Sequence, residues 1–380
     1  MKKILFIFML AAAQTVCAQQ LENTTFDDGT WVDCHPWEAG KFVSNAQGTQ
    51  PSGWCVANVN GMSGLGATIV AATGGGRSGV KGDSCVVLTN TPNPFRGTEI
   101  VPGYMTLGTT WATAKASILG GVSNADGGVF GGIPFTYHPD AIRLYYKRAH
   151  KVNNNTSVAN ETEKASVIAY SWKGTWTQKD VPSNTSMGTP AKVDMTDRDR
   201  NVLFNASGTV GGAISSTSDA ELIASIEYYI EGNASEWTEL VIPFTYKTSS
   251  TPEKFNIIIA ADDYFAARSN IGGNNQLTVD DVELLYWHAL SALSFEGATL
   301  SFDENTTSYD LSSVEYDEAK LSYTIKGQAA TATQTYDEET AVLTIRVEGE
   351  DIASNPSSST EYTVQFKVPE VGPQVVSSKT

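Results

Sequence analysis

The segment Leu277-Thr-Val-Asp-Asp-Val-Glu-Leu-Leu-Tyr286 decides how the larger part of this chain folds. Apolar residues occupy alternate positions up to Val279 and then resume, one position out of step, from Val282. A period of two indicates a β-strand with one face on a core. A slip of one residue indicates a β-bulge, which we place at Asp280 and Asp281.

The same period of two recurs through the chain before this segment. Residues 142–147, 167–172, 240–246 and 255–260 are further strand candidates, separated by stretches rich in Gly, Asn and Ser. No long segment carries a convincing period of 3.6 residues. Strands and turns without helices predict an all-β protein whose first domain, residues 19–287, is a jelly-roll β-sandwich.

The composition changes near residue 288. Residues 288–368 hold fourteen acidic and four basic residues, a formal charge of 4 − 14 = −10. Period-two alternation at 321–325, 343–347 and 362–368 indicates short strands. Several such strands in about 80 residues predict a small immunoglobulin-like β-sandwich, with residues 369–380 as a tail.

The net charge limits the partners. The whole chain carries a formal charge of −17. A nucleic-acid binder needs a basic face against the phosphates, and binding to an anionic membrane needs a basic patch. The composition therefore disfavours both.

The N-terminus predicts export. Lys2 and Lys3 precede an apolar run at 4–13, and Val16 and Ala18 occupy the −3 and −1 positions of a cleavage site. This pattern is typical of a signal peptide, here residues 1–18, and the run is too short to span a bilayer. Cys17 follows a bulky valine, a poor lipoprotein signal, so the sequence favours a secreted or periplasmic protein over an outer-membrane surface lipoprotein.

Three cysteines remain after cleavage, namely Cys34, Cys55 and Cys85. An odd number allows at most one intramolecular disulfide, and the sequence leaves its pairing open. We interpret most of them as small buried apolar residues rather than as catalytic thiols.

The motifs of common hydrolases are missing from the sequence. The four histidines are scattered without a zinc-binding spacing, and no Gly-x-Ser-x-Gly motif occurs. Glycoside hydrolysis needs two carboxylates beside the bond, and no paired motif provides them. Carboxylates from separate strands are the remaining route to an enzyme, for which Glu231 and Asp263 are the fallback candidates.

Aromatic residues are the positive signal. Indole and phenol rings stack on the apolar C–H faces of sugars, and the chain has eight tryptophans. Trp172 and Trp176 flank the predicted turn at 173–175, while Trp37 and Trp54 lie in loops rich in Gly and Pro. These four are the candidate carbohydrate-binding residues. The alternative for each is packing in the sandwich core.

The carboxylates at the bulge suggest a binding site for a metal cation. Asp280 and Asp281, held beside loop carbonyls, have the oxygen chemistry that calcium prefers. The alternative is a carboxylate that caps backbone N–H groups. No other cofactor is indicated.

Four segments in order resemble the putative carbohydrate metabolism domain family of secreted Bacteroidetes proteins. They are Gly131-Gly-Ile-Pro-Phe-Thr-Tyr-His-Pro-Asp140, Trp237-Thr-Glu-Leu-Val-Ile-Pro-Phe-Thr-Tyr246, Pro252-Glu-Lys-Phe-Asn-Ile-Ile-Ile259 and the segment ending at Tyr286. The resemblance implies a jelly roll similar to carbohydrate-binding modules. A likeness to the ends of calcium-stabilised modules implies Asp280, and secondarily Glu22, as calcium ligands. Family names mention glycoside hydrolysis, but the resemblance brings no catalytic motif.

We therefore expect a secreted carbohydrate-binding protein that takes part in polysaccharide utilisation. Its expected ligand is a polysaccharide or oligosaccharide. A cell-surface protein complex is a further expected partner. A glycoside hydrolase using carboxylates from separate strands, and a structural surface or adhesin protein, are the alternatives.

The mature protein should begin at Gln19 without acylation. Val16 and Ala18 form the recognised cleavage signal, whereas the residue before Cys17 is too large for lipid attachment. N-terminal sequencing of protein from the native host measures this. Recovery of a lipid on Cys17 would contradict it.

Overall fold

The computed structural model describes most of the chain. The described residues are 20–27, 31–34, 48–60, 67–68, 71–78, 80, 84–93, 96–117, 121–149, 163–174, 176–178, 216–218, 221–265 and 271–369. Two compact units divide between Leu285 and Tyr286. The signal peptide and the tail beyond residue 369 lie outside the described residues.

The first unit is built from strands. They are β1 (Trp31–Asp33), β2 (Thr49–Pro51), β3 (Cys55–Val56), β4 (Val59–Asn60), β5 (Ala67–Thr68), β6 (Ala71–Gly75), β7 (Ser84–Thr89), β8 (Thr91–Asn93), β9 (Arg96–Val101), β10 (Tyr104–Thr106), β11 (Thr109–Ser117), β12 (Gly121–Phe130), β13 (Ile133–Pro134), β14 (Ala141–Ala149), β15 (Ala165–Lys173), β16 (Trp176–Gln178), β17 (Ser216–Ser218), β18 (Glu221–Ile230), β19 (Ala234–Pro243), β20 (Thr245–Tyr246), β21 (Lys254–Ala260) and β22 (Gln276–Leu285).

Two antiparallel sheets dominate this unit. The five-stranded sheet has the order β19-β14-β22-β7-β6. The seven-stranded sheet has the order β20-β18-β15-β21-β10-β3, with β13 paired to β21. Within the described part of the chain, the only helical segment is a 3-10 turn at Glu318–Lys320, so the prediction of an all-β sandwich is confirmed.

The predicted bulge on β22 is present. Tyr145 pairs with Asp280 and Arg143 pairs with Glu283, so two residues of β22 oppose one residue of β14. Asp281 takes the left-handed conformation with φ 48°, which a short polar side chain tolerates. The bulge restores the phase of the strand, so that the apolar residues before and after it are all buried on one face: Leu277, Val279, Val282 and Leu284.

Strand β15 is buried on both of its faces. Its burial pattern shows no exposed position from Ala165 to Trp172, as expected for a central strand with packing above and below. Ile168, Tyr170 and Trp172 share one face and pack in a cluster with Val129 of β12. This cluster forms a second apolar layer on the seven-stranded sheet.

The expected exposure of Trp172 is therefore wrong. Its side chain is 0% exposed, its ring centroid lies 5.3 Å from that of Tyr170, and the Lys254 ammonium lies 5.8 Å above it. Lys173 and Gly174 at the end of the strand are half-exposed, but the strand that leads to them is central and covered. The indole is therefore a core group and not a surface for a sugar.

A network of buried hydrogen bonds holds the loop at 271–275, which precedes β22, in place. Asn90 donates to the carbonyls of Ala261 and Gly272, each at 3.3 Å, and accepts the N–H of Gly103 at 3.0 Å. The carboxyl of Glu163 accepts the N–H of Gly272 at 2.6 Å and the side-chain amide of Asn275. Burial raises the pKa of Glu163 to about 7, against the lowering effect of the Gly272 N–H.

The second unit also consists of strands. They are β23 (Ala289–Phe295), β24 (Ser308–Leu311), β25 (Leu321–Lys326), β26 (Thr331–Asp337), β27 (Val342–Glu348) and β28 (Ser359–Phe366). β23 pairs with β25, and a four-stranded sheet has the order β24-β28-β27-β26 with β24 parallel to β28. The inner side chains of both sheets share one cluster that includes Leu290, Phe295, Tyr362 and Phe366.

The described segments include no helix that is both long and apolar enough to cross a membrane.

Replacing Trp172 by alanine should lower the free energy of unfolding of the first unit by about 3–5 kcal/mol, because it empties a buried indole site. Val241, which is 45% exposed, provides the control, and Val241→Ala should change stability by less than about 0.5 kcal/mol. Urea unfolding followed by circular dichroism measures both. A Trp172→Ala variant with wild-type stability would show that the indole is not a core group.

The first unit should lose stability as the pH rises from about 5 to 8. The pKa of Glu163 is raised in the folded state, so between pH 4.5 and 7 the folded state holds a proton that the unfolded state has released. Stability is full below this window and is lost as the pH rises through it, by on the order of 1–3 kcal/mol from this carboxyl.

Melting curves at pH 5, 6, 7 and 8 measure this slope. Glu163→Gln should flatten it, since the amide oxygen still accepts the Gly272 N–H and no charge forms. The exposed Glu227→Gln is the charge-matched control. An unchanged slope in Glu163→Gln would rule out this carboxyl as the cause.

Candidate functional site

The side of the five-stranded sheet that points away from the core carries a row of polar and aromatic residues, which we call the outer face. Alternation on β14 buries Ile142 and Leu144 and leaves Arg143 and Tyr145 half-exposed. Pairing with β19 and β22 brings further side chains alongside. The outer face consists of Arg77, Arg143, Tyr145, Lys147, Trp237, Glu239, Val241, Asp281 and Glu283.

Arg77 reaches the outer face from the segment after β6. Its backbone N–H donates to Asp280 Oδ2 at 2.9 Å, and its side-chain Nε donates to Asp281 Oδ2 at 2.7 Å. The guanidinium carbon lies 3.4 Å from the centroid of the Tyr145 ring, a stacked cation–π contact. The bulge of β22 therefore positions an arginine across β14.

Tyr145 continues the row toward β19. Its hydroxyl donates to Glu239 Oε1 at 2.9 Å, and this bond raises the pKa of the tyrosine. Arg143 lies two residues away on the same face of β14, with Nη1 3.8 Å from Glu239 Oε1. Its Nη2 forms an ion pair with Glu283 on β22. One guanidinium thus links carboxylates from two strands.

Burial raises the pKa of Glu283, and the Arg143 guanidinium acts in the opposite direction. A carboxyl with a raised pKa beside a second carboxylate is an arrangement that glycosidases use. Here the arginine stands between the two groups, and all three side chains are a third to a half exposed.

Trp237 occupies the other end of the outer face. The Lys147 ammonium lies 5.0 Å from the centroid of its indole ring. The tryptophan is half-exposed in a strand whose neighbours Glu236 and Thr238 are exposed. The outer face therefore combines a half-exposed indole with planar charged groups, which can both stack on a ring and form paired hydrogen bonds.

Asp280 lies beneath Arg77. Its side chain is 2% exposed, and its two oxygens accept the backbone N–H groups of Arg77 and Asp281, both at 2.9 Å. Burial raises its pKa to about 6. These bonds match the N–H-capping alternative.

The second calcium candidate, Glu22, contacts a different loop. The Ser52 hydroxyl donates to its carboxylate at 3.5 Å, while its backbone carbonyl accepts from the indole of Trp54. The described residues contain no group of three or more His, Cys, Asp or Glu that could hold a metal ion. Calcium binding stays a prediction from the sequence.

Trp54 is a packed residue and not an exposed one. Its side chain is 2% exposed, its Nε1 donates to the Glu22 carbonyl at 3.1 Å, and its ring meets Phe26 edge-on at 5.9 Å. The predicted sugar contact at Trp54 is therefore corrected, because the loop folds back over the indole. Trp37 and the side chain of Trp176 lie outside the described residues.

The fallback catalytic residues Glu231 and Asp263 have different contact partners. Glu231 is 68% exposed and forms an ion pair with Lys164 at 2.7 Å. Asp263 Oδ1 accepts the N–H of Phe265 at 3.1 Å, as in a turn. Their contacts are those of surface and turn carboxylates.

The cysteines are free thiols in the structure. Cys34 and Cys85 are buried and Cys55 is half-buried. Burial raises the pKa of Cys34 and of Cys85 to about 11 in each case. A thiol with a raised pKa stays protonated and is a poor nucleophile, which agrees with a packing role.

The likeness of this chain to known proteins is distant. No protein-family model and no curated protein matches the chain. Among solved structures, a putative glycoside hydrolase from Bacteroides thetaiotaomicron shows 14% identity over 67% of this chain and 72% of that chain, with a TM-score of 0.38. Another, from Bacteroides vulgatus, shows 16% identity over 69% of this chain and 96% of that chain, also with a TM-score of 0.38. Likeness at this level carries no argument about function, so the family resemblance stays a prediction from the sequence.

Proposed function

We propose that this chain is a secreted carbohydrate-binding protein for glycan utilisation and that the outer face binds the glycan. The observation that supports this most is that the half-exposed Trp237, with the Lys147 ammonium over its ring, shares one sheet face with the group formed by Arg143, Glu239 and Glu283. The proposal keeps the jelly-roll interpretation for the first unit and the immunoglobulin-like interpretation for the second.

Sugar chemistry fits both parts of the outer face. A pyranose has an apolar C–H surface that stacks on an indole, and its hydroxyls at the ring edge both donate and accept. Glu239 and Glu283 accept, Arg143 donates, and the Tyr145 hydroxyl does both. Their mutual contacts hold these side chains in place before a ligand arrives, which lowers the ordering cost of binding.

The hydrolase alternative has one observation in its favour. Glu239 and Glu283 come from separate strands and meet at Arg143. A retaining or inverting mechanism needs one of them to donate a proton to the leaving group. Arg143 opposes this, because its guanidinium acts to lower the pKa of Glu283, the carboxyl whose pKa burial raises. We therefore favour binding without turnover.

Trp237→Ala should weaken glycan binding by about five-fold to a hundred-fold and leave the melting temperature nearly unchanged. Stacking of a nucleic-acid base on an aromatic side chain contributes roughly 1–3 kcal/mol, and we expect sugar stacking to contribute a similar or smaller free energy. The melting temperature should change little because the indole is a surface group. The mature protein is first screened on a glycan array, and affinities for each hit are then measured by calorimetry.

Trp287→Ala is the matched control for this measurement. Trp287 belongs to the second unit and also carries a lysine ammonium over its ring, with Lys326 at 5.2 Å. Its loss should leave glycan affinity unchanged. Equal affinities of wild type and Trp237→Ala would place binding elsewhere, and absence of any array hit would favour a structural or adhesin protein. Release of reducing sugar that stops in Glu283→Gln would establish the hydrolase alternative.

A further inference from the structure

We infer that the outer face selects uncharged oligosaccharides over glycans that carry carboxylate or sulfate groups. This rests on the proposed function, and it names the ligand class that the same site takes. The inference comes from how the charges of the outer face are matched.

Every guanidinium on the outer face already has a carboxylate partner. Arg77 is bound by Asp281, while Arg143 lies between Glu239 and Glu283. With Lys147, the outer face carries three cations and three carboxylates, so its formal charge is 3 − 3 = 0. An anionic glycan needs cations that are not already neutralised.

One of these ion pairs, Arg77 with Asp281, is also costly to separate. The side chains of Arg77 and Asp281 are only 18% and 15% exposed, and the guanidinium is stacked on Tyr145. A ligand carboxylate that took Arg77 would leave the Asp281 carboxylate partly buried without its partner, which is strongly unfavourable. Lys147 is held over Trp237, where an incoming sugar ring would stack.

The charge of the whole chain acts in the same direction. A formal charge of −17 repels polyanions at long range, and the matched outer face offers no local patch to overcome it. Hydroxyl groups are not subject to this repulsion. Paired carboxylates and guanidinium groups can accept from and donate to hydroxyls while they remain in contact with each other.

The length of the outer face indicates an oligomer. The row extends along β14 from Arg143 to Lys147, a separation of four residue steps, which is about 13 Å at the rise of an extended strand. This exceeds the length of one pyranose ring. Several consecutive sugar residues can therefore contact the row at once.

The test uses pairs of polysaccharides in which one member carries more carboxylate groups than the other. Binding of the mature protein to methyl-esterified and de-esterified homogalacturonan, and to xylan and glucuronoxylan, is measured by affinity electrophoresis and calorimetry at 20 and 300 mM NaCl. We expect at least ten-fold tighter binding to the uncharged member of any pair that binds, with less than two-fold change between the two salt concentrations.

Two variants assign the selectivity to the outer face. Glu239→Gln changes the formal charge of the outer face to 3 − 2 = +1 and should narrow the preference for the uncharged glycan at low salt. Glu227→Gln changes the total charge equally but lies on the seven-stranded sheet, and it should retain the wild-type preference.

Tighter binding of wild type to the charged member, with affinity that falls steeply with salt, would overturn this inference alone. If both variants changed the preference for the uncharged glycan equally, or if neither variant changed it, the assignment of this preference to the outer face would be overturned. Absence of binding to any glycan, both here and on the array, would overturn the proposed function itself.

Discussion

The β-bulge at Asp280 and Asp281 is the constraint on which the first unit depends. By placing Asp281 in a left-handed conformation, it returns β22 to phase and keeps Val282 and Leu284 in the same core as Val279. Without it, a strict alternation would turn the second half of the strand outward and expose apolar side chains. The bulge thus allows one strand to serve both the core and the outer face along its whole length.

The bulge also joins distant parts of the chain. Beyond Val279, the edge of β22 is no longer paired with β7, and the segment at the start of the unit takes its place. Val282 donates to the Thr24 carbonyl at 2.9 Å, and Leu284 exchanges hydrogen bonds with the side chain of Gln20. The first and last segments of the unit are therefore hydrogen-bonded to each other.

The outer face follows from the same local geometry. Asp280 holds the backbone of Arg77, Asp281 holds its side chain, and the guanidinium covers Tyr145. From there, hydrogen bonds and ion pairs run through Glu239 and Arg143 to Glu283. The proposed ligand class thus depends on an arrangement of charges that begins at the bulge, and the buried layer around Trp172 supports the opposite sheet.

The all-β class, the bulge and the strand at 142–147 could be predicted from the sequence, because they depend on the period of neighbouring residues. The sequence also suggested that aromatic residues matter, but it chose Trp172 and Trp54 from their nearness to turns and loops. Only the tertiary structure decided which rings are covered, because burial depends on strands that are distant in sequence, such as β12 over β15. For the same reason Arg77, Tyr145 and Trp237 came together only in the fold: sheet pairing across β19, β14 and β22, and not sequence spacing, makes them neighbours.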